Sequence, residues 1–361
     1  MASAARWSLF ALAIVMTIAV VAVIAAGILN FRAEQAIAAQ LETAVEQSPL
    51  ADALAWSSVE TRVARGTVAL EDITFEDGDT RMRADRVSVQ VPAGEAADLA
   101  RDPLATTLSS ATVVMQGVTI SDDATGSASA IESGSFSFEG FVPLARFGDD
   151  PTALPADAEA TITAISMDFK GVSMALPEDT GELVLGEYRM DIDGNLDLMT
   201  LMAASAGGDP GAVLSQLRSV NTRIADVTMT MSDEARTQFG QMAAMFAGPM
   251  PFLEDPDMWQ IAELSADMAF TASGVALDKL GLDTPFLELD GSVAVGLSPE
   301  MAPAPPLDVD LEIASFHEEL RPMVGMMLAS LPEPATIPAE GGFRFRMSIV
   351  DAVSPPEITV E

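Results

Sequence analysis

Thr67-Val68-Ala69-Leu70-Glu71-Asp72-Ile73-Thr74-Phe75 is followed, after Asp77-Gly78-Asp79, by Val87-Ser88-Val89-Gln90-Val91. In both runs apolar residues tend to alternate with polar ones and β-branched side chains are frequent. That is the two-residue period of a half-buried strand, not the 3.6-residue period of a helix. Val59, Thr61 and Val63 form a shorter run set off by Gly66, and Pro92 stops the last one. Proline cannot donate a ladder hydrogen bond, so it marks a strand end. The reading is an antiparallel meander with one apolar and one wet face.

The same texture returns at 113–120, 135–141, 160–176, 183–198, 222–231, 262–277, 286–297, 307–313 and 343–349. With the opening runs this makes about a dozen strands, well above the usual sheet size. The expected fold class is mostly β (a β-rich α+β protein): a long curved antiparallel sheet or two packed sheets. Short Met/Ala-rich helices are expected at 198–205, 239–246 and 323–330. Met202 and Met242 lie 40 residues apart and Met242 and Met326 lie 84 apart, but the segments are too dissimilar to count as repeats.

Upstream, Ser8 to Leu29 is a run of 22 residues without charge or proline. At about 1.5 Å per residue it is long enough for a hydrocarbon core of about 30 Å. Arg6 and Arg32 flank it, and Trp7 and Phe31 fall where aromatic rings favour the headgroup zone. Ala36-Ile37-Ala38 offers a small-x-small cleavage pattern, but secretory apolar regions run to only about 7–15 residues, so the length favours an uncleaved anchor. The expected organisation is a cytoplasmic 1–7, a transmembrane helix 8–31, a juxtamembrane helix 32–55 rich in Ala, Glu and Gln, and an exported β-rich body 56–361, with a subdivision near 150–160. Arg6 without neighbouring acids, against Glu34, Glu42 and Glu46 beyond the anchor, puts the N-terminus on the cytoplasmic side.

Composition removes whole function classes. With 54 acids against 18 bases the net charge is −36. Such a surface repels nucleic acid, whose binding requires clustered positive charge. The dense acidic charge suits solubility in a salty medium, as in a salt-tolerant bacterium. There is no cysteine, hence no disulfide and no thiolate metal site. His317 is the single histidine and sits in Phe316-His317-Glu318-Glu319, where a helix start is expected, so capping is favoured over catalysis. With so many carboxylates, close pairs arise by chance and spacing cannot single out a hydrolytic dyad. No enzymatic activity, cofactor or resident metal is expected.

The remaining candidates are weighed by residue. Asp191, Asp193, Asn195 and Asp197 place oxygens at alternate positions as calcium loops do, but the glycine comes at the fourth position of the run rather than the sixth and no bidentate glutamate lies at the twelfth. A hairpin turning at Gly194-Asn195 is the preferred reading. Flexible methionines fill cores, and they also line surfaces that accept varied apolar partners. Met202, Met242, Met245, Phe246, Met323, Met326 and Met327 are accordingly the lipid-contact candidates. Arg62, Arg65, Arg81, Arg83 and Arg86 give the first strands a local positive character. They are candidates for headgroup contact, with pairing to Glu60, Glu71, Glu76 and Asp85 as the plainer alternative.

The order of an N-terminal anchor, then Arg65-Gly66-Thr67-Val68-Ala69-Leu70-Glu71-Asp72-Ile73, then Met82-Arg83-Ala84-Asp85-Arg86-Val87-Ser88-Val89-Gln90-Val91, resembles the opening of AsmA-like envelope proteins over residues 1–95. The resemblance implies a place in the inner membrane of a Gram-negative bacterium, a periplasmic body, and curved sheets whose groove takes part in phospholipid movement. The expected function is therefore envelope maintenance, binding or passing phospholipid along an apolar groove. The alternative is a non-enzymatic scaffold that binds another envelope protein through a sheet edge.

Overall fold

The computed structural model describes residues 53–62, 65–99, 106–122, 126–143, 160–176, 180–198, 200–201, 210–238, 241, 255–271, 274–296, 306–329, 336–338, 341–350 and 356–361. Alternation becomes strand almost throughout. The elements are β1 (Leu54–Ala55), β2 (Ser58–Arg62), β3 (Thr67–Asp77), β4 (Thr80–Gln90), β5 (Thr107–Asp122), β6 (Ser127–Pro143), β7 (Thr161–Ala175), β8 (Gly181–Asp197), β9 (Leu217–Met231), β10 (Gln260–Thr271), β11 (Gly274–Thr284), β12 (Leu287–Gly296), β13 (Leu307–Phe316), β14 (Phe343–Ile349) and β15 (Glu357–Val360). Among the described residues helices are few and short: α1 (Ala93–Leu99), α2 (Pro210–Leu214) and α3 (Arg321–Ala329), with 233–238 also helical.

The strands belong to one antiparallel sheet in the order β1-β3-β4 and on through β15, with β2 also paired to β3. Of the two expected architectures, the single long sheet is the one found. From β3 onward each strand pairs with the next; tight links such as 78–79, 272–273 and 285–286 make hairpins, while longer connections such as 232–259 and 317–342 also return the chain to the neighbouring position. The transmembrane helix 8–31 lies outside the described residues, as do 1–7, the subdivision expected at 150–160 (apart from Ala160) and most of the helix expected at 32–55, whose Leu54 and Ala55 form β1. Among the described residues no helix is long and apolar enough to cross a membrane. Of the Met/Ala-rich segments, the third is helical as α3, while most of the other two lies outside the described residues.

Two readings are corrected. The run 262–277 is two strands, not one: Thr271 pairs with Gly274, where β10 reverses into β11. The hairpin expected at Gly194-Asn195 is absent, since β8 passes through both residues as one strand. Gly194 is needed there for another reason. Its missing Cβ would lie 2.7 Å from the Gln216 carbonyl oxygen, to which the neighbouring Asn195 amide donates at 2.9 Å.

By compactness the chain forms two units: 1–124 with 130–168 and 193–217, and 125–129 with 169–192 and 218–361. The first has a conventional core. Val68, Leu70, Ile73, Ala84, Val89, Val113 and Val118 are buried together, with Leu54, Trp56 and Val59 packed against them. Leu70 and Ile73 face the same side although two residues lie between them, because Glu71 and Asp72 both turn outward. Asp72 adopts φ 50°, a left-handed conformation that Asp tolerates better than most L residues. By register Asp72 lies opposite Asp85, and Asp85 opposite Gly117, which has φ 58°. Three adjacent strands thus change phase on one rung, and the apolar face stays continuous on both sides of it.

The phase change carries a sequence signature. Leu70-Glu71-Asp72-Ile73-Thr74-Phe75 on β3, Met115-Gln116-Gly117-Val118-Thr119-Ile120 on β5, Phe169-Lys170-Gly171-Val172-Ser173-Met174 on β7 and Ile224-Ala225-Asp226-Val227-Thr228-Met229 on β9 share one pattern: apolar, any, Asp or Gly, Ile or Val, Thr or Ser, apolar. The third residue has positive φ in all four: 50°, 58°, 58° and 53°. The repeat lies in the strands and not in the methionine segments.

Candidate functional site

In the second unit the register stacks apolar side chains into four rows. Phe270, Val275, Val295, Leu307 and Ile349 form one, and Met268, Leu277, Val293, Val309 and Met347 the next. Ala266, Leu280, Gly291, Leu311 and Phe345 form the third, and Leu264, Leu282, Leu289, Ile313 and Phe343 the fourth. Val220 and Ile224 of β9 extend two rows on one side, and Ile358 and Val360 of β15 extend two on the other. Register shifts at Leu277/Leu280 and Glu288/Leu289 absorb one extra residue in β11 and one in β13, so the rows stay aligned.

The exposure of this face separates it from a core. On β10–β13 none of the row residues is buried, and all are of intermediate exposure. In the first unit Val68 and Leu70 of β3 and Val89 of β4 are buried, with Leu70 only 3% exposed. At about 6.7 Å per two residues and about 4.8 Å per strand, the rows of β9–β14 cover roughly 20 by 24 Å, at the upper end of apolar patches on monomers.

The opposite face is charged. Glu263, Asp283 and Glu288 lie in one row, and Asp290 faces Glu312. Like charges directly opposite are unfavourable, and arginines offset part of that. Arg223 reaches Glu263 at 2.9 Å, and Asp310 accepts from Arg344 Nε at 2.7 Å and Nη2 at 2.6 Å. Hydrogen bonding to Arg344 holds the Asp310 carboxyl below the usual carboxylate range and raises Arg344 in turn.

At the Phe343 end of the rows, the connection from β13 to β14 is pinned. Phe316 meets Phe343 edge to face at 5.8 Å, and the Arg321 guanidinium stands 4.8 Å above the Phe316 ring. Arg321 also donates to the carbonyl oxygens of Pro338 and Gly341. His317 caps the 3-10 turn Glu318–Leu320, its Nδ1 accepting from the Glu319 amide at 3.4 Å, which is the capping role expected of it. Helix α3 buries Leu328 and exposes Met326 (64%). Met323 and Met327 lie on that helix, while Met202, Met242, Met245 and Phe246 lie outside the described residues. Met268 and Met347 are the methionines on the apolar rows. The methionine count drew attention to helical segments, whereas alternation alone marks these two.

Three of the five candidate arginines converge. Arg62, Arg65 and Arg86 line a depression of about 210 Å³ with Glu60, Thr67, Ala69 and Gln90. Arg86 donates to Glu60 at 2.7 Å and to Glu71 at 2.8 Å, and Arg62 Nε donates to Glu60 at 2.8 Å. The two guanidiniums, Arg86 first, hold the Glu60 carboxyl below its ordinary range. Arg81 instead lies opposite Glu76, and Arg83 stands 4.0 Å from Asp72.

No family model, curated protein or solved structure matches the chain. Function is therefore argued from these two surfaces. The acids at 191–197 do not add a third. On one extended strand their side chains are spaced about 6.7 Å apart per step and cannot converge on one ion. Asp191 pairs with Arg189 at 2.8 Å and Asp197 accepts from the Thr200 amide and hydroxyl at 2.9 Å. Among the described residues no group of three or more His, Asp or Glu could hold a metal ion.

Proposed function

We propose that this is a membrane-tethered envelope protein that binds or passes phospholipid, with acyl chains lying on the apolar face of β9–β14. The observation that carries the reading is the continuous apolar register across β10–β13, whose row residues are all of intermediate exposure. An apolar face about 20 Å along the strands and about 24 Å across them matches extended hydrocarbon, which asks for area and no hydrogen bonds. The acidic reverse face repels anionic headgroups and so favours one side of the sheet.

The run from Ser8 to Leu29 supplies the tether, and the AsmA-like opening supports an inner-membrane place with a periplasmic body. Native mass spectrometry of the full chain extracted in mild detergent tests the reading. Retained phospholipid, lost when Val293 is changed to Asp, is the expected result. Recovery of one stoichiometric protein partner with no lipid would overturn it in favour of a scaffold.

A further inference from the structure

We propose that the depression between β2, β3 and β4 is a binding site for a phosphate group. The site follows from register. On the face opposite the first unit's core, Arg62 lies across from Thr67 and Thr67 from Gln90. One step along, Glu60 lies across from Ala69, and a further step brings Ser58, Glu71 and Arg86 into line. Ala69 forms the floor of the depression, 1% exposed beneath this ring of long side chains.

The donors are arranged and partly held in advance. Glu71 accepts from Arg86 at 2.8 Å while its other oxygen accepts from the Ser58 hydroxyl, also at 2.8 Å, fixing the Arg86 fork. Glu60 draws Arg62 and Arg86 toward one point. Arg65 makes no ion pair with any described residue, so its planar fork is available for an anion. Three cations against Glu60 and Glu71 leave the site positive in a chain of net charge −36. A phosphate oxygen triad suits this set. Arg62 and Arg65 donate to it, the Thr67 hydroxyl and Gln90 amide lie in reach, and the exposed Glu60 side chain is the carboxylate it must displace.

The phosphate has two sources, free in solution or on a lipid headgroup. The latter rests on the lipid reading above, but the site itself does not. The test uses the full chain in detergent with inorganic phosphate, followed by phosphorus NMR line broadening, and separately with dioleoylphosphatidic acid against dioleoylglycerol. Binding of either phosphate-bearing probe, weakened about tenfold by Arg65→Ala and by Ala69→Leu, is the expected result. Glu60→Gln should tighten it, because the competing charge is gone while the arginines remain. A merely structural network would instead lose binding or show no change. Phosphate without lipid assigns a soluble phosphate, and phosphatidic acid alone assigns a headgroup. Equal retention of phosphatidic acid and dioleoylglycerol with no response to inorganic phosphate, or indifference to Arg65→Ala, overturns the proposal. Val293→Asp separates the two ideas, since it should remove lipid and leave inorganic phosphate binding intact.

Discussion

Gly117 sits where Asp85 leaves no room for a side chain: a Cβ there would lie 2.1 Å from Asp85 Oδ2, and the residue has φ 58°. Both conditions act on one position, which is the rung where three strands change phase together. Gly117→Ala should therefore cost more than the about 1 kcal/mol of a left-handed L residue alone, on the order of 2–3 kcal/mol. Gly78, with φ 59° and open space around its Cβ position, isolates the backbone term. Gly78→Ala should cost about 1 kcal/mol, so the two urea midpoints should separate. Equal losses would remove the role given to Asp85.

The repeated pattern makes a second prediction at Asp226, φ 53°. Asp226→Asn and Asp226→Gly keep a residue that accepts the left-handed region, and thermal unfolding should move little. Asp226→Val improves strand propensity yet should destabilise by about 1–2 kcal/mol, because a β-branched residue resists positive φ.

Asp310 and Arg344 predict a pH response. The carboxyl is depressed, so its contribution is present above the ordinary carboxylate value of about 3.9 and is lost as pH falls through the lower folded value. Arg344 is raised from a value already far above neutrality and stays charged throughout this window. Asp310→Asn should flatten the acid limb of a melting-temperature profile below about pH 4 and leave the shape near pH 7 unchanged. An unchanged acid limb would show that other carboxylates set it.

On the apolar rows, Leu311→Asp should abolish acyl-chain retention, and because Leu311 is partly exposed it should cost less stability than a carboxylate at a fully buried apolar position. Ser292→Asp on the opposite face is the control and should retain lipid. By contrast Phe343, 6% exposed and in edge contact with Phe316, is packed, and Phe343→Ala should cost about 3 kcal/mol. Chemical denaturation separates the two classes of apolar position.

Sequence alone determined the strands, because a two-residue period records which face each side chain takes whatever the fold. The meander at 67–91, most later strands and the His317 cap were legible for that local reason. The single histidine, the absent cysteines and the net charge likewise needed no coordinates. Gly194-Asn195 misled because a turn-forming pair looks the same when a close approach to the Gln216 carbonyl, fixed by a neighbouring segment, is what requires the glycine. The four Asp/Gly patterns were visible as letters but not as a repeat, since their meaning is a positive φ that only the backbone displays. Tertiary structure alone decided which apolar faces are buried. Val89 and Val293 sit in similar alternating runs, yet one is 4% exposed and the other is of intermediate exposure, because burial depends on what packs above a strand and not on the strand itself. It decided likewise that Arg62, Arg65 and Arg86 meet around Ala69 while Arg81 and Arg83 do not, for cross-strand register sets those neighbours.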